Sequence, residues 1–336
     1  MTGLTNGTGY RFRVAAVSAF GTGAYSAESA TFTPLAPASA PTSVVGVSGN
    51  GQVSLTWVTP PSDGGSPISD YVVQYSSNSG ASWTPFTHAV STSTITTVTG
   101  LTNGISYVFR TAAVTGGGTG AFSVPSSSVM PVGVAGAVTG LAGTAGNGQV
   151  TLSWTPPLSN GGSAITDYVI QRSSDAGVTW TPFVHAASTA TGATVTGLTN
   201  GTGYLFQVAA VNSAGTGTYA RSASVTPRTV AGAVTGLART AGNGQVSLSW
   251  TAPTSTGGSA ITDYVIQRSS DAGATWTTFI DAVSTATSAT VTGLTNGTSY
   301  MFQVAAVNGA GTGTYARSAS IVPRTVAGAV TGLAGT

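Results

Sequence analysis

The sequence contains very little charge. Asp, Glu, Lys and Arg make up only 5% of the 336 residues, against about a quarter in an average soluble domain. Lys is absent, and the Arg residues give a net charge of only +2. They recur singly, as at Arg172 and Arg268, whereas binding to phosphates requires cations clustered along one face. The composition therefore argues against a nucleic-acid partner.

Cysteine and long apolar runs are also missing. Without Cys there is no disulfide framework, but a domain of about 95 residues can bury enough core without one. No apolar run approaches the roughly 20 residues of a membrane span. The segment Met1–Leu4 shows no basic stretch followed by an apolar one, so no signal peptide is visible. We expect no membrane span, and we expect any signal peptide to have been lost with the true N-terminus.

The residues that are abundant indicate β-structure with short loops. Hydrophobic residues make up 41% of the chain, and Thr, Val, Tyr, Phe and Trp are frequent. These side chains fit a pleated, half-buried surface. The 47 Gly and 15 Pro supply many turns. This hydrophobic content distinguishes the chain from a disordered one, in which low charge would accompany few apolar residues.

An internal repeat sets the architecture. The string Gly-Leu-Thr-Asn-Gly begins at Gly3, Gly100, Gly197 and Gly293, in steps of 97, 97 and 96 residues. All six Trp fall at two fixed positions of the repeat. One set is Trp57, Trp154 and Trp250, and the other is Trp83, Trp180 and Trp276. A residue that recurs at a fixed position in every copy points to a structural role.

The repeat resembles the fibronectin type III pattern. A strand that alternates apolar and polar residues ends in Trp and is followed by Pro, then Ile-x-x-Tyr-x-Ile, then Leu-x5-Tyr-x-Phe-x-Val-x-Ala-x-Asn. In the middle copy these residues are Trp154, Pro157, Ile165, Tyr168, Ile170, Leu198, Tyr204, Phe206, Val208, Ala210 and Asn212. The first complete copy departs from the pattern at Thr111. Leu198 to Tyr204 also matches the tyrosine corner of sandwich folds.

The resemblance implies an all-β chain of tandem fibronectin type III-like, immunoglobulin-like β-sandwiches with seven strands each, arranged as beads on a string. Complete repeats are predicted at 38–131, 134–228 and 231–325. Residues 1–34 match only the C-terminal part of a truncated repeat, and residues 326–336 match only the first strand of a further one. We therefore expect the chain to be a slice of a longer array, with other domains of that chain among its partners.

One motif could suggest an enzyme. Ser173–Trp180 matches the Asp-box, S-x-D-x-G-x-T-W, which is known from sialidases and other propellers, and Ser269–Trp276 repeats it. Propeller blades recur every 40–50 residues, not every 97. The favoured interpretation is a β-hairpin turn in which Asp accepts backbone hydrogen bonds and Trp packs beneath. Trp83, Trp180 and Trp276 are nonetheless kept as candidate ligand contacts, because aromatic faces suit sugar rings.

Other polar residues give no catalytic, cofactor or metal prediction. Asp167 and Asp175 could form a carboxylate pair, but an equivalent pair recurs at Asp263 and Asp271. A catalytic pair should occur once, in one asymmetric pocket. His88 and His185 occupy equivalent positions, where the third copy has Asp281, and no partner stands at metal-ligand spacing. The Asn-Gly-Thr sequons at Asn6, Asn200 and Asn296 coincide with the loop before the tyrosine corner, and the turn interpretation is favoured.

Three functional hypotheses remain, none of them enzymatic. The first is a structural spacer in an extracellular or cell-surface bacterial protein, because near-identical copies suit a module whose length matters most. The second is an adhesin or a module that binds polysaccharide or a cell-surface protein. The third is a self-associating filament or matrix protein, because near-zero charge removes repulsion between copies.

Overall fold

The computed structural model describes residues 1–325, and every regular element in that part of the chain is a β-strand. The strands follow from the alternation of side chains. Val53, Leu55 and Trp57 point into the core, whereas Thr56 and Val58 between and beyond them are exposed. A period of two puts alternate side chains on opposite faces of a sheet. The predicted all-β class is confirmed, and the prediction for residues 326–336 lies outside the described residues.

The chain forms two compact units. The first comprises residues 1–137, 157–168 and 210–218, and the second comprises residues 138–156, 169–209 and the chain from 219 onward. The boundary passes through the second repeat. The first repeat lies wholly in the first unit, and the third repeat lies wholly in the second.

The first repeat is a sandwich of two sheets, preceded by a short hairpin. The hairpin strands are β1 (Val17–Ser18) and β2 (Gly21–Thr22). The sandwich strands are β3 (Thr42–Gly49), β4 (Gln52–Val58), β5 (Asp70–Ser76), β6 (Thr84–Phe86), β7 (Ile95–Thr99), β8 (Val108–Thr115) and β9 (Gly118–Thr119). One sheet has the order β3-β4-β7 and the other β6-β5-β8-β9. All neighbours are antiparallel.

The second and third repeats use the same strand order. The second contains β10 (Thr139–Gly146), β11 (Gln149–Thr155), β12 (Asp167–Ser173), β13 (Thr181–Phe183), β14 (Gly192–Val195), β15 (Leu205–Asn212), β16 (Gly215–Thr216) and β17 (Ala220–Arg221). Its sheets are β10-β11-β14 and β13-β12-β15-β16, with β17 also on β15. Because β16 and β17 both pair with β15, they form one interrupted last strand, which gives the predicted seven.

The third repeat matches the second strand for strand. Its strands are β18 (Thr235–Gly242), β19 (Gln245–Thr251), β20 (Ile261–Ser269), β21 (Thr277–Phe279), β22 (Ser288–Val291), β23 (Met301–Asn308), β24 (Gly311–Thr312) and β25 (Ala316–Arg317). Its sheets are β18-β19-β22 and β21-β20-β23-β24, with β25 on β23.

Each core is centred on one tryptophan. Trp57 and Trp250 pack edge-to-face on Tyr71 and Tyr264, with ring centroids 5.2 Å apart in both cases. Such pairs contribute about 0.5–1.5 kcal/mol beyond area burial. Trp57, Trp154 and Trp250 are only 5%, 6% and 6% exposed. Their burial in every copy agrees with the structural role that their fixed position in the repeat indicates.

The N-terminal segment retains part of the same pattern. Tyr10 pairs with Phe32 in an antiparallel bridge, and its hydroxyl accepts a 2.9 Å hydrogen bond from the backbone N–H of Thr5. The apolar side chains Val14, Val17 and Phe20 are exposed. The sequence predicts the C-terminal part of a truncated repeat in residues 1–34, and that assignment stays a prediction. The predicted domain boundaries stay predictions.

Candidate functional site

The Asp-box forms a hairpin turn that is closed by its own side chains. In the second repeat the Ser173 hydroxyl donates to Asp175 Oδ1 over 2.7 Å, and the backbone N–H of Thr179 donates to the same oxygen over 2.9 Å. The N–H of Gly177 donates to Ser173 Oγ over 2.8 Å. Ala176 and Gly177 both have positive φ, at 57° and 89°. The turn interpretation is therefore supported by the geometry.

Hydrogen bonding also keeps this carboxylate ionised. The hydroxyl and backbone N–H of Thr179, together with the Ser173 hydroxyl, lower the pKa of Asp175 to about 2. In the third repeat Ser269 and Thr275 lower the pKa of Asp271 in the same way. In the first repeat the position is Asn78, whose Oδ1 accepts from the backbone of Ser82 over 2.9 Å. Because an amide takes the place of the carboxylate in the first repeat, the side chain at this position serves as a hydrogen-bond acceptor rather than as an acid.

The candidate ligand contacts Trp83, Trp180 and Trp276 are half-buried at the end of this hairpin. An arginine covers each ring. The guanidinium of Arg110 lies 4.1 Å from the Trp83 ring centre, that of Arg221 lies 5.1 Å from Trp180, and that of Arg317 lies 5.3 Å from Trp276. These are cation–π distances. Each indole therefore stacks on a cation of its own repeat. The structure brings each candidate Trp to a separate site, one in each repeat.

The arginine comes from different strands in different repeats. Arg110 lies on β8 and also stacks on Phe122 at 4.3 Å, while its Nε donates to Gln74. Arg317 lies on β25, and its Nε donates to Gln303, the residue at the position of Arg110. Sequence analysis missed these partners, because a fixed repeat position held no common Arg. The sequence did carry a signal, because each of these Arg residues lies opposite a Gln on a neighbouring strand. Arg110 lies opposite Gln74, and Arg317 lies opposite Gln303.

The histidine and aspartate side chains that were considered as metal ligands or catalytic groups contact the backbone of nearby loops. His88 Nδ1 lies 2.8 Å from the carbonyl oxygen of Ala89, and Asp70 accepts a hydrogen bond from the backbone N–H of Ser91. In the third repeat, burial and the neighbouring Asp263 raise the pKa of Asp281. Among residues 1–325 no group of three or more His, Cys, Asp or Glu could hold a metal ion.

The loop before the tyrosine corner uses its asparagine internally. The Tyr204 hydroxyl accepts a 3.1 Å hydrogen bond from the backbone of Thr199, which confirms the predicted tyrosine corner. The amide of Asn200 donates to Asn147 and its oxygen accepts from Gly148, each over 2.8 Å. Because both ends of this side chain are hydrogen-bonded, the geometry supports the turn interpretation over a glycosylation site.

Two open clefts lie beside these loops. One, of about 760 Å³, is lined in the first unit by residues 102–105 and 157–162, and the other, of about 680 Å³, is lined in the second unit by residues 200–202 and 254–260. Their linings contain Asn, Ser, Thr, Gly and a few apolar residues, with no ionisable side chain. Within the described part of the chain there is no helix that is both long and apolar enough to cross a membrane.

Comparison with known proteins agrees with the fold. The sequence profile of the Fibronectin type III domain matches residues 39–129, 136–227 and 232–322. Human Myomesin-2 is 32% identical over 227 residues, or 64% of this chain, and Endoglucanase B of Cellulomonas fimi is 38% identical over 170 residues, or 48% of it. The matched region spans only 15% of either relative. The match to the crystal structure of chicken CNTN1 FN1-FN3 domains covers 86% of this chain and 99% of the CNTN1 chain. The sequence identity is 22% and the TM-score is 0.34.

Proposed function

Because the chain belongs to the fibronectin type III family, we propose that it is a non-catalytic spacer array within a longer bacterial protein that acts outside the cell or at its surface. The observation that carries the proposal is that the candidate site repeats. In all three repeats the hairpin carboxylate or amide is hydrogen-bonded within its own turn, and the Trp is covered by an Arg of the same repeat. A ligand site or catalytic centre built from these groups would have to compete with these internal contacts.

The relatives support the proposal from two directions. Myomesin-2 and Drosophila Titin, the latter matching 81% of this chain at 26% identity, contain stretches similar to the array. A bacterial protein named as an endoglucanase contains a similar stretch over 15% of its length. A segment that covers so little of an enzyme need not contain its catalytic centre. The proposed role is therefore to separate other domains of one long chain.

Small-angle scattering of chains with different copy numbers tests the spacer proposal. Residues 230–325 can be deleted or duplicated, which removes or adds one repeat. A spacer requires the maximum particle dimension to increase by a constant increment with each added repeat. A dimension that stays constant while the mass rises would contradict it. An unmodified chain measured at several concentrations serves as the control for self-association.

A second candidate function, binding of a protein surface, is favoured by one patch on the first repeat. On the outer face of β3-β4-β7, the side chains of Val45, Val47, Val58 and Ile95 are 55%, 66%, 53% and 63% exposed. Val45 and Ile95 both pair with Thr56 and so lie in one row across the sheet. At the equivalent positions the second repeat has Ala142, Thr144, Thr155 and Gly192. Adjacent exposed apolar groups in one copy alone suggest a contact surface.

Sedimentation velocity tests this candidate against self-association. The variant Val45→Ala/Val47→Thr/Val58→Thr/Ile95→Gly gives the first repeat the residues of the second. If the patch joins two copies, the unmodified chain should show a concentration-dependent sedimentation coefficient that the variant loses. If it binds a different protein, both chains should sediment as monomers, and only the unmodified chain should bind cell-surface extracts. Equal behaviour in both assays would rule the patch out.

A further inference from the structure

Successive repeats meet through glycines. Within the first unit Gly104 faces Gly162, and a Cβ on Gly162 would lie only 2.3 Å from the backbone N of Gly104. Within the second unit Gly201 faces Gly258, and a Cβ on Gly258 would lie 2.4 Å from the backbone N of Gly201. We call residues 5–7, 102–104, 199–201 and 295–297 the Asn-Gly loops, and residues 64–65, 161–162 and 257–258 the double-glycine loops.

The same contact occurs at the N-terminal segment. A Cβ on Gly65 would lie 2.2 Å from the backbone N of Gly7. The contact is therefore found three times, each time between an Asn-Gly loop and the double-glycine loop that follows it. Each side presents backbone without a side chain, and both sides adopt positive φ, at 82° for Gly104 and 86° for Gly162. Only glycine combines that conformation with so close an approach.

Both loops are held in shape by their own repeats. The N–H of Gly201 donates to the carbonyl of Pro227 over 2.9 Å, and the Asn200 side chain is fixed by residues 147 and 148. On the other side, the Asn308 amide donates to the carbonyl oxygens of Thr229 and Thr256, over 2.9 Å and 2.7 Å. The contact therefore joins two preformed surfaces, which keeps the ordering cost of association low.

The Asn-Gly loop of the third repeat has the same geometry. The N–H of Gly297 donates to Pro323 over 3.0 Å, and the Asn296 amide donates to Asn243 over 2.8 Å. The φ of Gly297 is 83°, against 87° for Gly201. Among the described residues nothing lies within 4 Å of a Cβ placed on Gly297. The fourth surface is thus formed but has no described counterpart.

We propose that the Asn-Gly loop at residues 295–297 is a docking surface for the double-glycine loop of another fibronectin type III repeat of this type. The partner is defined by two adjacent glycines with positive φ in the loop between its second and third strands. An intact second copy of the described chain does not offer this partner, because each of its three double-glycine loops already contacts an Asn-Gly loop. The inference goes beyond the spacer role, since it specifies what each repeat accepts as a neighbour.

A chain with one added repeat tests the proposal. Duplicating residues 229–324 directly after Arg324 restores the Pro-Arg-Thr-Val linkage that precedes the third repeat. The absence of Cys allows clean nitroxide labelling at Val184→Cys and Ile280→Cys, which occupy equivalent positions and are 89% and 91% exposed. Electron–electron distances are measured across the existing joint between positions 184 and 280, and across the new joint between position 280 and its duplicate.

The proposal requires the new joint to give the same mean distance and width as the existing one. Gly258→Ala in the added repeat should broaden the distribution towards that of a flexible linker. Gly293→Ala is the matched control, because its φ of 69° imposes similar backbone strain while nothing lies within 4 Å of the added Cβ. A broad distribution at the new joint in the unmodified sequence would overturn the proposal. So would a distance in the unextended chain labelled only at Ile280→Cys that disappears on dilution with unlabelled protein, because such a distance is intermolecular and a second copy would then be the partner.

Discussion

One hydroxyl in the core of the first repeat has no hydrogen-bond partner. Thr111 is fully buried, and its Oγ1 is unpaired. Val208 and Val304 occupy the same position in the other repeats and are also fully buried. Burying a hydroxyl without a partner costs about 1–3 kcal/mol. We therefore expect Thr111→Val to stabilise the first repeat by about 1 kcal/mol, measured as a higher Tm of its calorimetric transition.

The reverse exchange provides the control for that prediction. Val208→Thr places the unpaired hydroxyl in the second repeat and should lower the stability of that repeat by a similar amount. If Thr111→Val lowers the Tm, the hydroxyl must have a partner in solution, and the assignment of an unpaired group would be wrong.

A second prediction at this scale concerns acid. The pKa of Asp175 is lowered from 3.8 to about 2 by its hydrogen bonds in the folded hairpin. The unfolded chain therefore binds the proton more readily, so the stabilising contribution is present above pH 3.8 and is lost as the pH falls towards 2. Asp175→Asn should make the hairpin less sensitive to pH over this interval, as followed by hydrogen exchange of the Gly177 amide. Leu158→Ala, a change at an exposed side chain, should leave the pH profile unchanged.

At the scale of elements, the arginine that covers the hairpin Trp can come from either of two strands. Arg221→Ala should uncover Trp180 and destabilise the second repeat by about 0.5–1 kcal/mol, the size of an exposed cation–π contact. Adding Gln207→Arg, which copies Arg110 of the first repeat, should restore the contact from β15. The measurement is the quenching of Trp fluorescence by acrylamide, compared between each variant and the unmodified protein, together with the Tm.

The double variant distinguishes loss of the Arg–Trp180 contact from a general destabilisation of the second repeat. If Arg221→Ala/Gln207→Arg quenches like the unmodified protein, the cation over the ring is what matters. If quenching stays high although the protein is folded, the two strand positions are not interchangeable. Gln207→Lys is the matched control, because it restores the charge without the planar guanidinium.

Much of the fold could be predicted from sequence, because its signals are local or periodic. The alternation in Gln149–Trp154 fixes which residues of β11 are buried, and the Leu198 to Tyr204 spacing specifies the tyrosine corner. The cover over the hairpin Trp could not be predicted. Arg110 and Trp83 are joined only by the packing of two strands, and the Arg changes strand between repeats. The contact between Gly104 and Gly162 was equally invisible, since glycine pairs leave no side-chain pattern.

At the scale of the whole molecule, the scarcity of charge should make stability insensitive to salt. The described ion pair of Arg11 with Glu28 is exposed and 3.3 Å long, and such pairs contribute little. Raising NaCl from about 0.01 M to about 1 M shortens the Debye length from about 30 Å to about 3 Å. We expect the Tm values to stay nearly constant over this range, apart from the small general effect of salt on apolar burial. A fall of several degrees would reveal a long-range electrostatic contribution that the charge distribution does not suggest.

The glycine contact between successive repeats has an evolutionary consequence. Main chain meets main chain on both sides, so the neighbours do not need to co-evolve matching side chains. Recombination that gains or loses one period of 96 or 97 residues leaves every remaining junction intact. The surfaces of individual copies are then free to diverge, as the valine-rich sheet of the first repeat already has, without disturbing how the copies join. The geometry of each junction then depends on the two facing glycines and not on how many copies the array contains.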